Sequence, residues 1–206
     1  MKKLIVILLI LVACVSGLFA LDSSSFGISV GYGLQSEFVS GNGANTHSIV
    51  IGITGLDKFR KDSNFALIAD GQFELPVKTG EIKRSDINNL KQWINIGLIF
   101  GPAYQLSSRM FKSYVGFGLA VKEQTFKVSS SIYEYSSLVL SFGPGIVLYG
   151  AYNVTDSFYI SATLSQQYLF LNYARYNAGS LKKVDDSFNL SSTLRLGCGF
   201  SFNWNN

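Results

Sequence analysis

"KSYVGFGLAVK", residues 112–122, alternates large apolar side chains with almost no side chain at all. In an extended chain Val115, Phe117, Leu119 and Val121 share one face, and Gly116, Gly118 and Ala120 share the other. A strand at the surface of a soluble sheet would set charged or hydroxylated residues opposite such an apolar face. The pattern suits a wall with hydrocarbon outside and a narrow, crowded interior.

Working outward from this stretch, the same period of two recurs through the chain, and no long segment holds a helical period. Eight strands are predicted, at about 25–34, 47–54, 64–75, 91–105, 112–122, 137–149, 157–170 and 188–202. In the first, Phe26, Ile28, Val30, Tyr32 and Leu34 oppose Gly27, Ser29, Gly31 and Gly33. In the last, Leu194, Leu196, Cys198 and Phe200 oppose Thr193, Arg195, Gly197 and Gly199. Connections alternate in character. "GLDKFRKDS", "QLSSRMFK" and "YGAYNVTDS" are short, whereas "QSEFVSGNGANT", "PVKTGEIKRSDINNLK", "EQTFKVSSSIYEYS" and "NYARYNAGSLKKVDDS" are longer and polar. Short turns at one end and long loops at the other are the plan of an antiparallel up-and-down transmembrane β-barrel. A soluble barrel with its apolar face inward is the competing fold, and it calls for charged, β-branched outer faces rather than G-x-G runs.

Met1-Lys2-Lys3, the apolar run 4–15 and the small-residue stretch "SGLFA" have the shape of a signal peptide over 1–20, leaving 21–206 as one barrel domain. A retained membrane helix would need about 20 apolar residues. "LVAC", 11–14, has the spacing of a lipoprotein cleavage site, so lipidation at Cys14 stands beside simple cleavage near Ala20; with simple cleavage Cys198 is the lone cysteine left. Charged residues are only 15% of the chain, against about 25% in an ordinary soluble domain. With 17 basic and 13 acidic residues, two of the basic ones in the leader, there is no electrostatic case for nucleic acid.

Most charges fall in connections, and those in mid-strand share the small-residue phase. Asp70, Glu74 and Arg195 are expected in the lumen, with Lys91 and Lys122 near its outer rim. A charge in a narrow, poorly hydrated lumen must be paired, so an Asp70–Arg195 pair at mid-depth is expected to plug the barrel; the alternative is charges that are independently hydrated. Pro144 and Pro102 are candidate kinks, because a mid-strand proline deletes a ladder hydrogen bond. Tyr168, Phe170, Tyr173 and Phe188 lie toward the long loops, and Phe100, Tyr104, Phe111, Phe200, Phe202 and Trp204 toward the short turns, as two interfacial girdles would. His47 is the single histidine and cannot by itself make a metal site. No phosphate loop, nucleophile motif or calcium loop is present, so no catalytic residue, metal or other cofactor is assigned.

The hairpin repeats "FGPAYQLSSRMFKSYVGFGLAV" (100–121) and "FGPGIVLYGAYNVTDSFYISATL" (142–164) resemble the small eight-stranded bacterial outer-membrane barrels, the class of OmpX, OmpW and the OmpA transmembrane domain. Short treponemal outer-membrane barrels are similar as well. "RLGCGFSF" (195–202) resembles the terminal-strand signal read by the outer-membrane assembly machinery, carried here by Arg195, Gly197, Phe200 and Phe202, although Asn203-Trp204-Asn205-Asn206 follows it. The resemblance implies a place in the bacterial outer membrane and contact with lipid and with that machinery. It leaves two functions open: a closed surface barrel whose outer loops touch partners, or an OmpW-like conduit for small hydrophobic molecules, with a sideways exit at a kinked wall. Some barrels of this size are lipid-modifying enzymes with an outward histidine, but nothing beside His47 supports that here.

Overall fold

The computed structural model describes residues 23–203 except 40–41, 59, 61–62, 85–86, 88, 109, 130–133, 178 and 185–186. The leader, Cys14 and Trp204 lie outside the described residues. Among the described residues eleven strands run in chain order: β1 (Ser23–Val39), β2 (Asn42–Lys58), β3 (Phe65–Thr79), β4 (Ile82–Lys83), β5 (Leu90–Ser108), β6 (Phe111–Ser129), β7 (Glu134–Asn153), β8 (Phe158–Leu169), β9 (Leu171–Tyr176), β10 (Lys182–Val184) and β11 (Ser187–Asn203). All pairings are antiparallel, and β1 bonds both β2 and β11, so the sheet closes on itself. β8 and β9 form one stave interrupted at Phe170, both bonded to β7. With β4 and β10 as short additions at the outer end, the wall is an eight-stranded, all-β barrel.

The direction of the side chains decides what this barrel is. Leu196 is 70% exposed, and its neighbour Arg195 is 1% exposed. Phe26, Ile28, Val30, Ile49, Ile51, Ile53, Phe117, Leu119 and Leu194 all face out, while Asp70, Glu74, Lys122 and Arg195 are buried inside. A soluble protein reverses this order. Closure removes the free sheet edges that a bilayer would leave unsatisfied.

Three expectations need correction. Two of the long stretches expected as outer loops are mostly strand: β1 continues to Val39, β2 begins at Asn42, β6 runs to Ser129 and β7 starts at Glu134. Staves of 15 to 20 residues exceed the roughly 9–11 that cross hydrocarbon, so the sheet projects beyond it, where polar residues on both faces no longer alternate. Pro102 does interrupt the β5–β6 ladder, which skips Gly101 and Pro102, but it makes no bulge, since the register is the same on both sides of it (Phe100↔Leu119 and Ala103↔Gly116). Phe100 pairs with Ala69 and Leu119 in the middle of the wall rather than at the turn end.

Pro144 does sit at an irregularity. The register of β7 against its neighbour slips by one between Phe142↔Leu171 and Gly145↔Gln167, and Phe170 N–H reaches Phe142 O at 3.1 Å. The wall stays shut there, because a Cβ on Gly143 would lie 1.7 Å from Tyr168 O. Only a glycine permits that backbone approach. Aromatic pairs ring both ends. Phe65–Tyr104 (5.2 Å) and Phe158–Phe200 (5.6 Å) lie toward the turns, and Phe38–Phe188 (6.2 Å) and Phe142–Tyr173 (6.3 Å) toward the outer end.

Candidate functional site

The lumen is filled, and its filling changes character with depth. Toward the turn end, Leu56, Ala66, Ile68, Ile99, Val147 and Ala151 pack with Tyr114, Tyr149 and Tyr159 in a buried apolar cluster. Above it the interior becomes polar. The missing side chains at Gly31 and Gly52 leave room for one large side chain, and Arg195 takes it: a Cβ on Gly52 would lie 1.6 Å from Arg195 Nη1.

Two ion pairs occupy the middle. Arg195 Nη2 donates to both carboxylate oxygens of Asp70, at 2.7 and 2.6 Å. Asp70 also accepts from Thr54 Oγ1 and from Gln72 Nε2, each at 2.8 Å. Gln72 passes the network on to Ser165 Oγ at 2.5 Å, and Ser165 meets Thr193 at 2.6 Å. The second pair joins Lys122 Nζ to Glu74 Oε1 at 2.6 Å, with Ser191 Oγ at 2.8 Å and Asn95 Nδ2 donating to Glu74 Oε2 at 3.4 Å. Acidic groups come from β3 and basic groups from β6 and β11, so each pair bridges the lumen. Two positive and two negative charges balance. The side chains of both pairs are essentially inaccessible to solvent, at 0–2%. In such surroundings an ion pair needs further hydrogen bonds to its members, and Thr54, Gln72, Ser191 and Asn95 supply them.

The structure thus brings Asp70 together with Arg195, but moves Lys122 from the expected rim to the buried interior against Glu74. The shift has a simple cause: the staves extend far past the expected strand end, so a residue read as near the rim lies at mid-height. Lys91 is exposed at the outer end of β5. Trp93 is half-buried and packs edge-on against Phe126 at 5.8 Å. Gly197 and Phe200 pair with Ser29 and Phe26 in the seam between last and first strands, Phe200 outward and 54% exposed. Gln72, Thr54, Ser165 and Ser191 were missed by sequence reasoning; their only signal is membership of the small, polar phase.

One part of the wall is not laddered. β3 and β5 pair from Phe65↔Tyr104 up to Glu74↔Asn95 and then part, although β3 continues to Thr79 and β5 begins at Leu90. Pro76 lies in this stretch and offers no N–H. Arg84, from the connecting segment, closes the seam by donating Nη1 to Pro76 O at 3.2 Å and to Trp93 O at 2.8 Å. Among the described residues no group of three His, Cys, Asp or Glu side chains could hold a metal ion. His47 contacts Tyr32 Oη through Nδ1 on the outer face of the wall.

No protein-family model and no curated relative matches the sequence. Solved structures do match in shape. The outer membrane protein AlkL, determined in DMPC lipid bilayers, aligns with a TM-score of 0.55 and 14% identity over 91% of this chain and 93% of that one. OprG from Pseudomonas aeruginosa gives 0.53 and 11% over 87% and 96%. Ail, the attachment invasion locus protein of Yersinia pestis, gives 0.51 and 16% over 88% and 99%. At these identities the likeness carries architecture alone: this chain has the eight-stranded antiparallel barrel fold of the small bacterial outer-membrane proteins.

Proposed function

We propose that the chain is an integral barrel of the bacterial outer membrane, closed to solutes, whose projecting outer strands make contacts at the cell surface. The observation that carries the closed reading is the lumen's filling: two buried ion pairs stacked on an apolar cluster of Ile68, Ile99, Val147, Tyr149 and Tyr159. A path for ions would have to displace both layers. The outward apolar wall supports the membrane placement, since its burial in hydrocarbon removes a large apolar surface from water. The strand extensions of β1–β2, β6–β7 and β9–β10 supply the surface-contact element, and the attachment invasion locus protein Ail shares the fold. The reading assigns no catalysis to the chain. The C-terminal strand would be its signal to the assembly machinery.

Planar-bilayer recording of the refolded protein tests the proposal. Silence is expected, and steady unitary conductance would overturn it. A mature chain that stays monodisperse without detergent would overturn the membrane placement itself.

A second reading has one specific observation in its favour. The parted seam between β3 and β5, latched by Arg84 side-chain bonds to Pro76 O and Trp93 O, offers a side opening near the outer end. In a conduit for small hydrophobic molecules, ligand would pass from the outer mouth through that seam into lipid, above the sealed middle of the lumen. Faster entry of an apolar fluorophore into vesicles carrying the protein, without conductance, would favour this reading over the closed one.

A further inference from the structure

The β9–β10 hairpin stands at the outer mouth of the barrel. Asn172 and Ala174 are buried on the lumen side, so Tyr176, two residues further, faces the mouth rather than lipid. Lys182 and Val184 are the register partners of Ala174 and Asn172 and share that face. These side chains and Ser180 line a cleft of about 600 Å³, a size typical of ligand sites. Its frame is fixed. Asn177, at φ 51°, donates its N–H to Ser136 O at 2.7 Å and accepts from Ser136 N–H through Oδ1 at 2.9 Å, and Gly179 N–H returns to Tyr176 O at 3.0 Å.

Tyr176 is 57% exposed. Arg175, its outward-facing neighbour, is exposed too, and a cation at that place puts this rung beyond the hydrocarbon. The Tyr176 ring therefore stands in water on the inner side of a fixed cleft. Tyr135, 41% exposed, shares the face: Tyr176 pairs with Ser137, which sets Tyr135 on the diagonal at about 7–8 Å. The Tyr135 ring rests in turn on Phe126 at 6.2 Å. The cleft offers two chemistries at once. Tyr176, Ala174 and Val184 give apolar faces, and Ser180 and Lys182 give hydrogen-bond donors. A pure hydrocarbon would strip water from Ser180 and Lys182 without replacing its bonds. A small inorganic anion would leave the ring unused. A ligand that satisfies both carries C–H groups on its flat faces and hydroxyls around its edge, which is the build of a pyranose.

We propose that this cleft binds a saccharide of the surroundings, one sugar ring stacking on Tyr176 with its hydroxyls toward Ser180 and Lys182, and the next ring lying toward Tyr135. The proposal deepens the surface-contact reading above and rests on it. The full chain, refolded into phospholipid nanodiscs and labelled, is applied to a printed array of mono- to hexasaccharides, with a library of hexapeptides printed beside it. Binding to a subset of the sugars is expected. Tyr176→Ala should weaken it about tenfold, and Tyr176→Phe, which keeps the ring, by much less. Tyr152→Ala, which removes an exposed tyrosine at the turn end, should leave it unchanged.

Nanodiscs that bind no sugar on the array would overturn the proposal. Sugar binding that survives Tyr176→Ala, or that falls equally in Tyr152→Ala, would overturn the site. A loss in Tyr176→Phe as large as in Tyr176→Ala would overturn stacking as its basis. The two layers of the argument fail differently. A chain that does not enter nanodiscs defeats the membrane placement, whereas loaded discs that ignore sugars but capture peptides through Tyr176 leave the surface contact standing and defeat only the saccharide.

Discussion

Replacing Arg195 with alanine removes the guanidinium that holds Asp70 and leaves a carboxylate buried at 0% exposure. Thr54 and Gln72 still donate to it at 2.8 Å each, so its desolvation stays partly compensated. Breaking a buried pair by deleting one partner costs about 3–5 kcal/mol; the two surviving hydrogen bonds place Arg195→Ala near the lower end, about 3 kcal/mol. The double change Asp70→Leu/Arg195→Met should cost much less. Arg195 engages Asp70 through Nη2, and its Nε and Nη1 have no partner among the described residues, so the native pair already carries part of its desolvation cost. Removing both charges is then expected to fall within about 2 kcal/mol of the parent. Urea titration of protein refolded into phospholipid vesicles, read by tryptophan fluorescence, measures all three variants. Conductance should stay silent in each, because the apolar cluster below the pair is untouched. An Arg195→Ala protein as stable as its parent would refute the reasoning: the charges would then be separately hydrated, and the lumen wetter than its packing indicates.

Other perturbations probe other layers of the barrel. Lys122→Met leaves Glu74 with Asn95, at 3.4 Å, as its remaining side-chain partner among the described residues, so a loss of about 3–5 kcal/mol is expected in the same titration, and Glu74→Gln in that background should recover part of it. Gly143→Ala drives a methyl into Tyr168 O and should cost at least about 1–3 kcal/mol or prevent refolding, seen as loss of the heat-modifiable band on a gel. Arg84→Ala removes two charge-assisted bonds across the β3–β5 seam and should cost about 1–2 kcal/mol at this half-buried site; a rise in apolar fluorophore uptake in the same variant would support the conduit, and unchanged uptake the closed barrel.

The wall was legible in the sequence because a lipid-facing strand must keep its period of two. Ile49-Ile51-Ile53 and Val115-Phe117-Leu119 each mark one face without ambiguity. Past the hydrocarbon that constraint lapses, so "QSEFVSGNGANT" reads as loop although most of it is strand. The Asp70–Arg195 pair was accessible because both residues fall in mid-strand in the small phase. Lys122–Glu74 was not, since knowing that two residues 48 apart in sequence share a height requires the stagger between staves. Ile68, Ile99 and Val147 were obscured for another reason: hydrophobicity alone does not separate an apolar residue plugging a lumen from one facing lipid. Arg84 gave no signal at all, being one cation among several in a polar stretch whose backbone partners emerge only when β3 and β5 part.

A barrel in lipid cannot rely on its outer face for cohesion, since acyl chains solvate that face in the folded state. What fixes the register must come from the ladder and from the interior. Here the interior pairs are drawn from strands that are not neighbours in the sheet: β3 supplies both carboxylates, β6 one cation and β11 the other. Sliding β3 by one residue would turn Asp70 and Glu74 out into hydrocarbon and leave Lys122 and Arg195 unpaired inside, and for each charge the exposure to lipid alone costs on the order of 2–4 kcal/mol. The groups that specify the register are therefore the same groups that block the lumen. Any evolutionary or engineered opening of this barrel would have to find another way to hold β3 in place, which is why a side exit at the parted, Arg84-latched seam conflicts less with the fold than a pore through its centre.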